Sequence, residues 1–235
     1  MGETKGKFRA VTGALLLLAG CSQPSWEEAM VAGQQAVEQA RYSDAQRIFS
    51  SAVVKAEAFG FDDKRVAQAL SALAQAYAAQ NKNAEAEPAY LRALKIYQAV
   101  HGETHPDVAA TLNNLGVLYR RHGQYADGEP LLVRAVAIKE KVFGPEHLET
   151  ALTLRNLAQL YASQSRFAQA EPLFGRITAI REKVQGPSHP DVARSLDEHA
   201  MLLRQMGREK EAVPLELRSQ AILTGFPKSS PSSKG

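Results

Sequence analysis

Apolar and polar positions follow one another along this chain with a helical rhythm. In the stretch VAATLNNLGVLY, the apolar residues Val108, Leu112, Leu115 and Tyr119 fall at spacings of four, three and four. That spacing lines one face of an α-helix. The polar break His122-Gly123-Gln124 interrupts it, and a second run from Tyr125 to Val142 resumes it through Leu131, Ala135 and Ile138. Gly144 comes next, as a glycine past a helix end does. The whole arrangement recurs every 42 residues: Pro88, Pro130, Pro172 and Pro214 keep that step, as do Gly60, Gly102, Gly144 and Gly186. Leu70, Leu112, Leu154 and Leu196 keep it too, and so do Tyr77, Tyr119 and Tyr161. The phased prolines are expected near the starts of the second helices, where a missing N–H is tolerated best.

Small residues mark where the two helices of each unit meet. Gly33, Ala45 and Ala52 are separated by 12 and then 7, and the steps recur as Ala74–Ala86–Ala93, Gly116–Gly128–Ala135, Ala158–Ala170–Ile177 and Ala200–Ala212–Ser219. Small side chains at matched points let antiparallel helices approach closely. Five helix pairs are therefore expected between residue 24 and about residue 224. The first unit is one residue short and has Ala36 in the tyrosine position; the fifth has His199 for leucine and Leu203 for tyrosine. Terminal repeats often depart from a pattern in this way.

The small-residue spacing, with Leu-x-x-Leu-x-x-x-Tyr on the first helix, resembles the tetratricopeptide repeat. The long period, and the segment AEAEPAYLRALKIYQAVHGETHPDVAATLNNLGVLY from residue 84 to 119, is similar to the 42-residue variety of kinesin light chains. The resemblance implies an all-α, right-handed superhelical solenoid of about five helix-turn-helix repeats. It also implies that the first helices line a concave, peptide-binding groove. Asn114 and Asn156 match the asparagine of the family's LNNLA-like segment, which by resemblance hydrogen-bonds the backbone of an extended bound peptide.

The amino terminus carries a second signal. Lys5, Lys7 and Arg9 precede an apolar run from Ala10 to Ala19, followed by Gly20-Cys21. The run is shorter than the roughly 20 residues of a membrane span and reads as a secretory signal. Leu18-Ala19-Gly20-Cys21 resembles a bacterial lipobox, which implies cleavage after residue 20 and a lipid on Cys21. Residues 21–25 then form a short tether, 26–224 the repeat array, and 225–235 a tail rich in Pro, Ser and Lys that is expected to be disordered. By resemblance to sorted lipoproteins, Ser22 rather than aspartate favours the outer membrane, facing the periplasm. Trp26 is expected to pack over the first helix pair, with the membrane interface as the alternative.

Charge narrows the function further. The chain has net charge +3, of which Lys5, Lys7 and Arg9 against Glu3 supply +2. A near-neutral mature body does not suggest nucleic-acid binding, which needs a basic stripe. With Cys21 the only cysteine, no intrachain disulfide is available. No nucleophile elbow, zinc-protease helix, phosphate loop or dinucleotide fingerprint occurs. No enzyme activity, cofactor or small-molecule substrate is expected. His105, His147 and His189 stand in phase, but residues one repeat apart are two helix widths apart and cannot share an ion. They read as turn residues between repeats, and no metal site is expected. Asp62, Asp63, Glu146 and Glu149 read as solvated loop charge, and Lys139 with Glu140 as solvated surface on a second helix.

The packing pattern leaves Asn113, Asn114, Val117, Arg120 and Arg121 of the third repeat on other faces, with Arg155, Asn156 and Gln159 in the fourth. Asn113, Asn114, Arg121, Arg155, Asn156 and Gln159 are the candidate peptide-binding residues. An amide offers both donor and acceptor, and Arg121 and Arg155 could select an acidic group or a C-terminal carboxylate. The expected function is a membrane-anchored adaptor holding an extended segment of an envelope protein. The alternative is a structural or self-oligomerising module with no external peptide.

Overall fold

The computed structural model describes residues 25–225. The expected signal, the lipobox with Cys21 and nearly all of the tail lie outside the described residues. Ten helices follow one another: α1 (Trp26–Glu38), α2 (Tyr42–Glu57), α3 (Lys64–Ala79), α4 (Asn83–His101), α5 (Pro106–Arg121), α6 (Tyr125–Phe143), α7 (Leu148–Ser163), α8 (Phe167–Gln185), α9 (Pro190–Gln205) and α10 (Glu209–Gly225). Each packs on its neighbours in sequence, and α1–α3, α3–α5 and α5–α7 also touch. Close approach of the odd-numbered helices puts them on the inner side of the solenoid's curve. Trp26 packs against the core of the first repeats.

The small-residue pattern marks the helix contacts. Ala45, Ala74, Ala86, Ala158, Ala170 and Ala212 are fully buried. At Gly128 a Cβ would stand 3.0 Å from the Gly116 carbonyl oxygen and 3.2 Å from Leu160 Cδ1 and Tyr119 Cβ. The backbones of α5 and α6 therefore meet with no room for a side chain. Leu112, Leu115, Leu132, Leu154 and Leu160 fill the space around this contact and its repeat.

The prolines differ from expectation. Pro88, Pro130, Pro172 and Pro214 lie inside α4, α6, α8 and α10, in the second turn rather than at the start. There the missing N–H removes a bond that would have reached back one turn. The helices run on, held by the packing on both sides.

Turns between helices are of two phased kinds. Within each repeat the helix ends on a left-handed residue: Ala40, Asn81, Gly123, Ser165 and Gly207, with φ between 55° and 73°. The next N–H bonds five residues back, as in Lys82 N to Tyr77 O (3.0 Å) and Arg166 N to Tyr161 O (2.9 Å), which is a Schellman closure. Between repeats, Gly102, Gly144 and Gly186 cap the second helices at φ 81°, 98° and 90°. His105, His147 and His189 then cap the following helices. Each Nδ1 accepts the backbone N–H two residues on, at 3.1–3.2 Å. The phased histidines are thus helix caps, with the proton carried on Nε2.

Of the charges read as solvated, Asp62 and Glu146 are exposed, while Asp63, Glu149, Lys139 and Glu140 are joined to this frame. Asp63 caps α3 and pairs with Arg65 at 2.8 Å, and the Arg65 guanidinium holds its carboxyl well below the usual range. Glu146 pairs with Lys183. Lys139 is buried, pairs with Glu149 at 2.7 Å and lies over the Phe143 ring, while Glu140 pairs with Arg176 at 2.7 Å. Lys139 and Glu140 are structural, because the helix following each repeat folds over that face. A second ladder fastens successive repeats. The Tyr119 hydroxyl donates to Glu87 at 2.7 Å, Arg166 to Glu129 at 2.9 Å and Arg208 to Glu171 at 2.6 Å. Burial pushes the Tyr119 hydroxyl up to about 12.

His199 is the one misfit among the described core positions that follow the leucine phase. Its Nε2 is buried without a partner and its ring faces Phe174 at 6.4 Å. Burial lowers its pKa below the usual histidine value. The folded chain then binds fewer protons than the unfolded chain, so stability is full above about pH 6.5 and falls as the pH drops below it. Replacing His199→Leu, the residue of the neighbouring repeats, should remove that part of the pH dependence and add about 1 kcal/mol. Thermal melts at pH 7.5 and 5.5 check this; parallel losses in both proteins would contradict it.

Candidate functional site

The inner face of α3, α5, α7 and α9 carries two depressions. The first, of about 190 Å³, is lined by Gln75, Tyr90, Asn114, Val117 and Arg121. The second, of about 390 Å³, is lined by Arg120, Arg155, Gln159, Phe174, Glu198 and Leu202. Four of the six candidate residues therefore line these depressions, Asn114 and Arg121 in one and Arg155 and Gln159 in the other. Asn113 and Asn156 join them. Asn156 Nδ2 donates to Asn113 Oδ1 at 2.7 Å, and Asn113 Nδ2 donates to Asn114 Oδ1 at 3.3 Å.

This amide chain runs along the groove and leaves its two ends open. No hydrogen bond among the described residues uses Asn114 Nδ2 or Asn156 Oδ1. One free donor and one free acceptor on a concave face match what an extended main chain presents.

The cations divide differently from the sequence expectation. Arg155 Nε lies 2.6 and 2.7 Å from the two oxygens of Glu198, and the pair is half-buried. Its charge is neutralised within the protein, so it offers no free anion seat. The reason is geometric: Glu198 stands on α9, one repeat and one residue further on, within reach of the Arg155 side chain on α7. Arg121 is exposed and reaches Asn81 Oδ1 at 3.3 Å. Arg120, which was not among the candidates, is the cation that faces the larger depression. Its Nε is buried without a partner. Burial first, and then repulsion from Arg121 and Arg155, lowers its pKa. The sequence carried a signal for it, since the neighbouring repeats have Ala78 and Ala162 at that phase.

The family model of the tetratricopeptide repeat matches residues 65–141, 107–183 and 164–224, which together span more than half of the chain. The chain belongs to the tetratricopeptide repeat family. Solved structures share the fold of the repeat array at low identity. BtubC (BKLC) from P. vanneervenii superposes with TM-score 0.76 at 21% identity, covering 89% of this chain and 85% of that one. A kinesin light chain of Podosopora anserina with nearly identical repeats gives TM-score 0.73 at 22% identity, covering 84% and 94%. A Rap protein complexed with Competence and Sporulation Factor gives TM-score 0.69 at 15% identity, covering 85% of this chain and 55% of that one. No curated protein sequence matches this chain. Among the described residues no helix of the array is long and apolar enough to cross a membrane.

Proposed function

We propose that this tetratricopeptide protein is a non-catalytic adaptor that holds an extended segment of another protein in its concave groove. The observation that carries the proposal is the open-ended amide chain of Asn114, Asn113 and Asn156 between two depressions. The bound segment would place main-chain groups on Asn114 Nδ2 and Asn156 Oδ1, an apolar side chain against Phe174 and Leu202, and a neighbouring anionic group on Arg120. That the Rap structure of the same fold is a complex with Competence and Sporulation Factor supports an array of this kind as a receptor for another molecule.

The adaptor is further proposed to be lipid-anchored through Cys21, at the outer membrane and facing the periplasm, with an envelope protein as its partner. This part rests on the basic residues, apolar run and lipobox-like Leu18-Ala19-Gly20-Cys21 of the amino terminus. Cys21→Ser should release the protein from the membrane fraction or leave an unprocessed precursor. Unchanged membrane recovery with normal processing would reject the anchor while leaving the groove reading intact. The groove itself is tested by capture of the partner with Asn114→Ala, Asn156→Ala and Arg120→Ala.

A further inference from the structure

Away from the groove, the junction between the second and third repeats gathers a different chemistry. His101 closes α4, His105 caps α5 and Asp107 lies in its first turn. His105 Nδ1 is 3.4 Å and His101 Nε2 is 3.7 Å from Asp107 Oδ2, and donor atoms of all three residues lie within 4.8 Å of one another. Tetrahedral zinc with ligands at about 2.0–2.1 Å places those ligands about 3.3 Å apart. Two of the three spacings are thus within a few tenths of an ångström of that geometry.

The sister junctions show what is unusual here. In the next junction the acid is Glu149, and Lys139 neutralises it at 2.7 Å. In the one after, the acid is Asp191, with Arg181 donating to its carbonyl, Arg194 at 3.2 Å from its carboxylate and Gln185 bonded to it at 3.0 Å. At the phase of Lys139 and Arg181 the second repeat has Tyr97, and at the phase of Phe143 and Gln185 it has His101. Asp107 consequently has no Lys or Arg partner among the described residues; its carboxylate faces the two imidazoles. The acid that the later repeats hold beside a cation lies here beside two imidazoles.

We propose that His101, His105 and Asp107 form a binding site for a divalent transition ion of the zinc type. Two imidazoles and a carboxylate suit that class of ion over calcium or magnesium, which prefer oxygen. The cap bond already fixes His105 with Nδ1 unprotonated, which is the ligating form; the ion takes that lone pair from the Asp107 N–H, at 3.2 Å a long bond. The two rings now stack at 4.1 Å with an angle of 18°, so His101 must swing out of the stack. It can do so, being the last residue of α4 and followed by Gly102. The carboxyl end of α4 favours a cation there. Glu103 does not compete, as it bonds Arg134 and Gln98. With about a third of His105 and two fifths of Asp107 exposed, the ion keeps an open position for water or for a partner's ligand.

The test is calorimetric titration of zinc sulfate into the full-length chain, purified without a polyhistidine tag. Wild type should take up one equivalent at this site and its melting temperature should rise with zinc. His101→Phe should lower zinc affinity tenfold or more and abolish the rise, while its zinc-free melting stays as in wild type. That fold is secure because Phe143 already stacks on His147 at 5.0 Å at the equivalent place. His101→Gln, the residue found as Gln185, should behave in the same way. A wild type that takes up no zinc, or variants that bind it as wild type does, would overturn the proposal.

Discussion

Replacing Gly128→Leu should lower stability by about 3 kcal/mol, the largest single effect expected in the array. A side chain there has nowhere to go. Its Cβ would be 3.0 Å from the Gly116 carbonyl oxygen and 3.2 Å from two neighbouring carbons, and the first of these is backbone that cannot rotate away. The helices α5 and α6 would have to separate, opening the layer that buries Leu112, Leu115 and Leu132. For a chain of this length the midpoint should fall by roughly 6–12 °C. Gly175→Ala supplies the opposite sign. Gly175 lies exposed in α8, its added Cβ would meet nothing within 4 Å, and the loss of glycine's backbone freedom should stabilise by roughly 0.5–1 kcal/mol. Thermal melts of both variants check the pair. Equal midpoints would show that the close contact is misplaced.

The second large effect concerns the groove. Arg120 holds a charge at the edge of burial with one N–H unpaired, which is a cost to the folded protein alone. A bound anionic group would relieve that cost. Arg120→Leu should therefore leave stability unchanged or raised while weakening partner capture by about 10- to 100-fold, the loss of a charge-assisted hydrogen bond of about 1.5–3 kcal/mol. Opposite effects on stability and binding identify a recognition residue. Arg155→Leu should behave otherwise, lowering stability because it leaves the half-buried Glu198 without its partner. Melting and capture measured on the two variants separate these roles; capture unaffected by Arg120→Leu would remove that residue from the binding face.

Much of the fold was legible because it repeats. One helix pair is ambiguous, but Pro, Gly, Leu and Tyr each returning at 42 residues admit only a solenoid, and the small residues located the contact between helices. Apart from Arg120, what escaped had no single-residue signature. The left-handed turn position falls on glycine at Gly123 and Gly207, but on the exposed Ala40, Asn81 and Ser165 in the other repeats, where the hydrogen bond of the following residue back to the helix holds the backbone. The candidate groove residues were selected by elimination, as the faces not used in packing. That logic finds positions on an inner surface but cannot see partners one repeat away. It missed the Arg155–Glu198 pair and the Asn113–Asn156 bond, both spanning 43 residues, one more than the repeat. For the same reason Lys139 looked exposed on its own helix and is covered by the next. The histidine caps show the converse: their phase was plain, while their bond to the following N–H required the turn itself.

A groove that holds a segment of another protein must bring that partner to the concave face and not to the outer surface. The most direct measurement places a photo-crosslinking amino acid in living cells at Gln159 and Val117 on the inner face, and at the exposed Lys95 and Lys141 on α4 and α6. A common adduct of one partner should form at Gln159 and Val117, be absent at Lys95 and Lys141, and disappear in the Asn114→Ala, Asn156→Ala double variant. The same adduct formed at Lys95 and Lys141 but not at the inner positions would contradict the account.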